Sequence, residues 1–244
     1  MNSDFAESRL DDVVANLTKE DHIIARLLGV YGRYEAASSI IALVLAREIV
    51  SEQLASGAAL NSIDISTRFS TSRTPAREAL QILEQQGLVV IEPRRQPRIA
   101  QETPATISEV YMLRAELYAF LARQVSLNAT EDDVHELRRI ISELELLVDL
   151  PGDGYFWKNL EFHERLAEAA HNETVKSAIR GLGLRVLRYR HQAMNLPGRQ
   201  QRLLDDHRRL VVAIGERDAE YAAALNKAIV LRALHRLLGT DTTL

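Results

Sequence analysis

The sequence has 244 residues, a length that accommodates one large domain or two modest ones. It contains no cysteine, which excludes a disulfide scaffold, a cysteine nucleophile and thiolate metal sites, and favours a reducing, cytoplasmic compartment. The net charge of −4 does not by itself indicate a nucleic-acid partner, so a DNA-binding surface would have to come from local charge. No apolar stretch approaches the roughly 20 residues of a membrane span, and the acidic N-terminus lacks a signal-peptide pattern. We therefore expect no membrane partner.

The composition predicts a mainly α-helical protein, because glycine and proline are scarce while Ala, Leu, Arg and Glu are frequent. Residues 1–34 are predicted to be an N-terminal extension with a possible amphipathic helix over 11–28. Residues 35–100 have the order helix, helix, turn, helix, hairpin, which is a winged helix-turn-helix. The predicted elements are helices at 35–54, 62–69 and 73–86, a turn at Ser70 to Ser72, and strands at 88–91 and 98–100.

A polar linker with a proline, residues 101–105, is predicted to end this first domain. From 106 to 240 every segment has helical periodicity, with short breaks between segments. Long helices joined by short connections bury their apolar stripes against each other, so we expect an antiparallel helical bundle. The predicted helices span 106–127, 131–149, 153–171, 174–194, 200–215 and 217–238.

The helix predicted over 73–86 has one apolar and one polar face. Its core-facing side is predicted to contain Ala76, Ala79, Leu80 and Leu83, and its solvent side Thr74, Arg77 and Gln81, with Arg73 at the boundary. Residues 66–98 hold six arginines and three acidic residues, a local net charge of +3. Arginines near a helix N-terminus suit phosphate and guanine contacts. The alternative is an ordinary surface helix with solvated charges.

The segment from Thr71 to Val89, TSRTPAREALQILEQQGLV, resembles the DNA-reading segment of the GntR family of bacterial transcriptional regulators. The usual family form is close to VSRTPVREALRRLEAEGLV, and the match has no gap. The resemblance implies operator contacts near the start of this helix, helped by the hairpin tip. The tip (PRRQPRIA) departs from the family in lacking a glycine. The predicted DNA-binding residues are Arg68, Ser72, Arg73, Thr74, Arg77, Arg94 and Arg95.

The helical region is similar to the FCD subgroup of the same family, in which the bundle dimerises and encloses an effector pocket. Many members bind a divalent metal there through one Asp and three His. The first family motif, D-x-x-F-H, is here Asn159 to His163, the second is Asp206-His207, and the third histidine falls on Ile229. With two ligands lost or weakened, we predict at most a weakly bound Zn²⁺ or Ni²⁺ on His163 and His207.

Three interpretations of these histidines stay open: metal ligands, hydrogen-bonding or cationic groups of an organic pocket, and core histidines. Arg114 takes the place of an arginine that many FCD members carry, and would suit a carboxylate effector if it points inward rather than to solvent. Protonated histidines would strengthen such binding as pH falls. The predicted effector-binding residues are Arg114, Asn159, His163 and His207. Further cations are Arg185, Arg188, Arg190 and His191.

The resemblances imply a ligand-responsive transcriptional regulator, a homodimer on a palindromic double-stranded DNA operator, that acts as a repressor released by a small organic acid. No catalytic residue is predicted. One alternative is a metal-dependent enzyme derived from a helical bundle, although the sequence contains no HExxH, G-x-S-x-G or P-loop motif. The other is a nonspecific architectural DNA binder, which the acidic overall balance and the compact basic face argue against.

Overall fold

The computed structural model describes residues 10–194, 196 and 198–240, without the side chains of residues 183 and 185. The described part of the chain contains twelve helices and one two-stranded sheet. In chain order the helices are α1 (Leu10–Ala15), α2 (Lys19–Leu28), α3 (Ala37–Val50), α4 (Ser62–Arg68), α5 (Arg73–Gln85), α6 (Pro104–Asn128), α7 (Glu131–Glu145), α8 (Gly154–Ala169), α9 (Glu173–Gly181), α10 (Gly183–Met194), α11 (Arg199–Gly215) and α12 (Ala219–Leu237). None of the described helices combines the length and apolar character that crossing a membrane requires.

The chain divides into two compact units. The first comprises Met1–Glu102 and Gly183–Arg188, and the second Thr103–Leu182 and Tyr189–Leu244. The first unit contains the helix-turn-helix and hairpin, and the described residues of the second unit form helices joined by short connections. The predicted fold class, a winged helix-turn-helix followed by a helical bundle, is confirmed.

In the first unit, α5 packs against α3 and α4 through its apolar face. The four side chains predicted to face the core are all buried: Ala76, Ala79, Leu80 and Leu83. The turn before α5 contains Ser70 with a φ of +48°, in the left-handed region. This conformation lets the chain reverse sharply between α4 and α5, so the start of α5 stands clear of the core.

The wing is an antiparallel hairpin of β1 (Val89–Val90) and β2 (Arg98–Ile99), in which Val89 pairs with Ile99. The segment before α4 borders the other side of β2, where the amide of Ile99 donates to the carbonyl of Ala58 at 2.9 Å and that of Leu60 to Pro97 at 2.7 Å. A two-stranded hairpin alone is only marginally stable. The hydrogen bonds from the segment before α4 therefore help to hold the hairpin on the first unit.

The N-terminal segment differs from the single helix expected over 11–28. It forms α1 and α2, because Thr18 caps a new helix in a reciprocal capping box with Asp21. The α2 side chains of Ile23, Ile24 and Leu28 are buried, and the helix contacts α3. Residues 10–34 thus pack as part of the first unit, while the first nine residues of the predicted extension lie outside the described residues.

In the second unit, α6 and α12 have the most extensive contact among the described helix pairs. Arg123 pairs with Glu220, and Lys227 pairs with Glu116, so the two helices run antiparallel. The prediction of one continuous helix over 174–194 is wrong, because the chain forms two helices there, α9 and α10, with Leu182 between them. The division falls between two glycines, and glycine is a poor helix former.

Candidate functional site

The first candidate site is the start of α5. Ser72, Arg73, Thr74 and Arg77 are all exposed, on the side opposite the buried apolar stripe. The Ser72 side chain makes no capping hydrogen bond within the described part of the chain, so it leaves the first backbone amides of the helix uncapped. Uncapped amides and two guanidinium groups form a surface that suits phosphate and guanine edges. The predicted polar face is therefore present and accessible.

The hairpin tip adopts a left-handed backbone conformation at a non-glycine residue, although this chain lacks the glycine common in the family. Arg94 itself adopts the left-handed conformation, with a φ of +63°, and its side chain is exposed. Arg95 is also exposed, but its Nη1 lies 2.7 Å from a carboxylate oxygen of Glu92. Exposed ion pairs at this spacing are weak, so the pair leaves both side chains able to exchange partners.

Arg68 differs from the expectation that it faces DNA. Its two terminal nitrogens donate to the two carboxylate oxygens of Glu48 at 2.8 and 2.5 Å. The side chains are only 8% and 11% exposed, respectively. A bidentate pair of this kind joins α4 to α3 inside the unit. We therefore remove Arg68 from the proposed DNA surface and assign it to the interior of the domain.

The second candidate site is a cavity of about 30 Å³ in the second unit. Its walls come from α6, α8, α10, α11 and α12. The lining residues are apolar side chains, side chains that carry nitrogen, and one tyrosine. They are Tyr111, Arg114, Asn159, His163, Arg190, Ala193, Met194, Arg199, Leu203, Ile229, Val230 and Ala233. None of these described lining residues is a carboxylate.

Three arginines bring positive charge to the cavity. Arg114, predicted from sequence, is 5% exposed and lies against the rings of Tyr118 and Tyr111, 4.5 and 5.5 Å from their centroids. Burial, together with the charge of Arg114, lowers the pKa of Arg190 to about 10. Burial also lowers the pKa of Arg199 to about 10, against the opposing effect of Asp206. Arg190 and Arg199 both remain charged near neutral pH.

The predicted amide and histidines also come together. Oδ1 of Asn159 accepts a hydrogen bond from Nε2 of His207 at 2.8 Å, and the rings of His207 and His163 lie 5.3 Å apart. His207 stands behind Asn159 rather than among the lining residues. Burial lowers the pKa of His207 to about 3, helped by Arg199 and Arg190. Burial, with Arg190, His207 and Arg114, also holds the pKa of His163 well below its ordinary value.

Both histidines are therefore neutral at physiological pH. The expectation that protonated histidines anchor a carboxylate is wrong, because burial and neighbouring arginines disfavour a further positive charge. The cations of this pocket are arginines. Of the other predicted cations, Arg190 lines the cavity, His191 pairs with Asp153 at 2.8 Å, and the Arg185 side chain lies outside the described residues.

The donor set does not fit a divalent metal. No group of three potential ligands occurs among the described residues. Nε2 of His207 is committed to Asn159, Ile229 offers no ligand atom, and Asp206 pairs with Arg232 at 2.8 Å. Three arginine charges would also repel a cation. The weak Zn²⁺ or Ni²⁺ site considered from the sequence thus lacks both a carboxylate and a favourable potential.

Sequence reasoning missed Arg199 and left the orientation of Arg190 open. A signal for Arg199 exists in the sequence, because it falls four residues before Leu203 and eight before His207 on α11. Positions at that spacing share one helix face, and both Leu203 and His207 are buried. Arg190 has a comparable signal, because apolar residues lie three and four positions away from it on both sides. These residues, Val186, Leu187, Ala193 and Met194, are all buried.

Comparison with known proteins shows the family to which both parts of the chain belong. Residues 37–99 match the family described as bacterial regulatory proteins, gntR family, and residues 109–232 match the FCD domain family. The chain is 26% identical to the HTH-type transcriptional repressor RspR of Escherichia coli K12 over 178 residues, 72% of this chain and 78% of that protein. It is 25% identical to the gluconate operon transcriptional repressor of Bacillus subtilis 168 over 202 residues, 80% of this chain and 79% of that protein.

Solved structures show the same fold. E. coli McbR/YncC superimposes with a TM-score of 0.70 at 18% identity, covering 83% of this chain and 97% of that one. A regulator from Rhodococcus sp. RHA1, described as a putative transcriptional regulator GntR, gives a TM-score of 0.67 at 22% identity, covering 84% and 99%. The relatives are transcriptional regulators and not enzymes. This chain belongs to the GntR family of bacterial transcriptional regulators and carries an FCD domain in its second half.

Proposed function

We propose that this regulator is a homodimeric repressor that leaves a palindromic operator when a small anionic organic effector binds in its second unit. The observation that carries this proposal is the cavity lined by three arginines and, among its described residues, by no carboxylate. A buried cation without a counter-charge is costly, so such a cavity favours an anionic ligand. The names of the two curated relatives, both repressors, support the direction of regulation.

The DNA contacts are assigned to the exposed face of α5, with Arg73 and Arg77 as the principal side chains. Each substitution, Arg73→Ala or Arg77→Ala, is expected to weaken operator binding by about 1–3 kcal/mol and to relax base preference where the arginine meets a base edge. Fluorescence anisotropy with operator and random duplexes at one salt concentration measures both effects. Arg202→Ala, an exposed arginine of the second unit, is the matched control.

A regulator shows a large preference for its operator over random DNA at fixed salt. Equal affinity for both duplexes would instead indicate the nonspecific architectural binder. If neither α5 substitution changed operator affinity, the assignment of this face would be wrong.

The dimer interface is proposed on α6. Four large apolar side chains of this helix are exposed: Met112, Leu113, Phe120 and Leu127. Three of them recur every seven residues, so they follow one face of the helix. An exposed apolar row of this kind favours a second copy of the chain. Sedimentation of the full chain should give a dimer, and Phe120→Glu with Leu127→Glu should give a monomer with weakened operator binding.

A further inference from the structure

We infer that the effector is a compact dianion which Arg114, Arg190 and Arg199 bind directly, without a bridging metal ion. This inference rests on the proposed function, because it names the chemical class of that same effector. It differs from a monocarboxylate anchored on a divalent cation in both charge and metal requirement.

Unpartnered polar atoms around the cavity support the inference. Four of the side chains that line it carry a buried polar atom without a hydrogen-bond partner among the described residues. These atoms are Oη of Tyr111, Nδ1 of His163, Nη2 of Arg190 and Nη1 of Arg199. Buried polar groups are nearly always paired, so unpaired groups that line one cavity favour a polar ligand there. Arg199 is 3% exposed, so bulk solvent does not satisfy its free nitrogen.

Charge argues for two negative groups rather than one. Arg114 has partial compensation within the protein, because it faces two aromatic rings and donates to Tyr118. Arg190 and Arg199 each have a guanidinium nitrogen without a hydrogen-bond partner among the described residues, and no carboxylate lines the described cavity wall. Asp206 offsets part of the Arg199 charge from outside the cavity, but its carboxylate is already paired with Arg232. A single carboxylate on the ligand would neutralise one of these two guanidiniums and leave the other without a full counter-charge. A dianion matches both.

Asn159 argues against a bridging metal and for a direct anion. Its carbonyl oxygen and Nε2 of His207 are bonded to each other, so neither atom is directed at a cation in the cavity. A dianion in the cavity would meet three guanidiniums together with the hydrogen-bonding groups of Asn159 and His163. A divalent cation would have to overcome the repulsion of three arginines.

Size restricts the ligand to a compact one. A cavity of about 30 Å³ holds roughly two water molecules. Entry of a larger group requires lining side chains to move, and the flexible Met194 together with the arginine side chains can do so. Two acidic groups on a short carbon chain, or a phosphate group, share the required chemistry. Malonate and inorganic phosphate are therefore suitable probes for the two sources.

The experiment is calorimetric titration of the full chain with malonate, phosphate, acetate and gluconate, at matched ionic strength and with EDTA present throughout. We expect malonate or phosphate to bind at least about tenfold more tightly than the two monocarboxylates, because a monoanion leaves one buried charge unmatched. Which dianion binds more tightly distinguishes the two sources. Arg199→Gln should weaken the dianion by about thirtyfold or more. Arg202→Gln, on the same helix but exposed, should not change it.

A second variant, Asn159→Asp, leaves all three arginines of the cavity in place. Its new carboxylate can still accept the hydrogen bond from His207. The new negative charge competes with the ligand, so the dianion should bind at least about tenfold more weakly while the unliganded protein becomes more stable. If the pocket were a metal site, the same substitution would instead create zinc-dependent anion binding.

Equal affinity for monoanions and dianions would overturn the dianion inference and leave the proposed anionic effector standing. Loss of binding in EDTA with recovery on added zinc would overturn direct binding by arginines. Tight dianion binding without any change in operator affinity would support this pocket assignment and refute the proposed release of the repressor. Absence of binding by malonate and phosphate, with wild-type folding intact, would overturn the inference.

Discussion

Replacing Arg68 with methionine tests whether this arginine stabilises the first unit or contacts DNA. The guanidinium makes two short hydrogen bonds to Glu48, and both side chains are nearly enclosed. Methionine has a similar length and apolar stem but no charge. The substitution therefore removes the ion pair and leaves the Glu48 carboxylate buried between α3 and α4.

The expected cost follows from that burial. Removing one partner of a buried ion pair destabilises a protein by about 3–5 kcal/mol, because the remaining charge is uncompensated. An exposed pair would cost only about 0–1 kcal/mol. Replacing both partners with apolar residues of similar volume is often nearly neutral. We therefore expect Arg68→Met to be much more destabilising than the double variant Arg68→Met with Glu48→Leu.

Hydrogen exchange of the full chain, followed by mass spectrometry, measures this effect within one unit. Peptides from α3 and α5 should lose protection in Arg68→Met and largely regain it in the double variant, while peptides from α11 and α12 serve as the internal control. Operator affinity of the folded double variant should stay close to wild type. A small loss of protection in the single variant, or a large loss of operator affinity in the double variant, would refute the interior assignment of Arg68.

Substitutions at three other positions test separate parts of the structure. Arg94→Ala and Arg94→Gly should weaken DNA binding equally, but the glycine variant should be about 1 kcal/mol more stable in urea unfolding, since φ is positive there. Thr18→Ala should reduce the exchange protection of α2 by about 1 kcal/mol through loss of its cap. His163 has a lowered pKa in the folded protein, so its contribution to stability is present above the unfolded pKa and lost as pH falls. The fluorescence of Trp157 during unfolding should show wild type losing about 1 kcal/mol more than His163→Asn between pH 6.5 and 5.5.

Periodicity predicted the buried and exposed faces of α5 well because the signal is local. Ala76, Ala79, Leu80 and Leu83 lie on one face of α5, and burial of that face leaves Arg73 and Arg77 exposed. Arg68 shows where such reasoning stops. Its partner Glu48 is twenty residues away on another helix, and no spacing within a single helix can indicate a pair formed between helices.

The pocket shows the same limit. Arg114, Asn159 and His163 could be placed by resemblance, because each occupies a motif position, and the structure brings all three to one cavity. Arg190 and Arg199 occupy no motif position. Their role depends on how five helices meet, and the charge of the cavity, which decides what it binds, therefore became apparent only from the packing.

The neutral residue at position 159 and the buried arginines are physically linked. An aspartate there would attract one guanidinium, favour a proton on His207, and reduce the positive charge that an anionic ligand needs. Asn159 instead holds His207 through a neutral hydrogen bond, and Ile229 fills the remaining wall with an apolar side chain. The cavity then has no negative group among its described lining residues to compete with a ligand for Arg190 and Arg199. The neutral residue at position 159 and the arginines at positions 190 and 199 thus act in the same direction, because both favour an anion over a cation in this cavity.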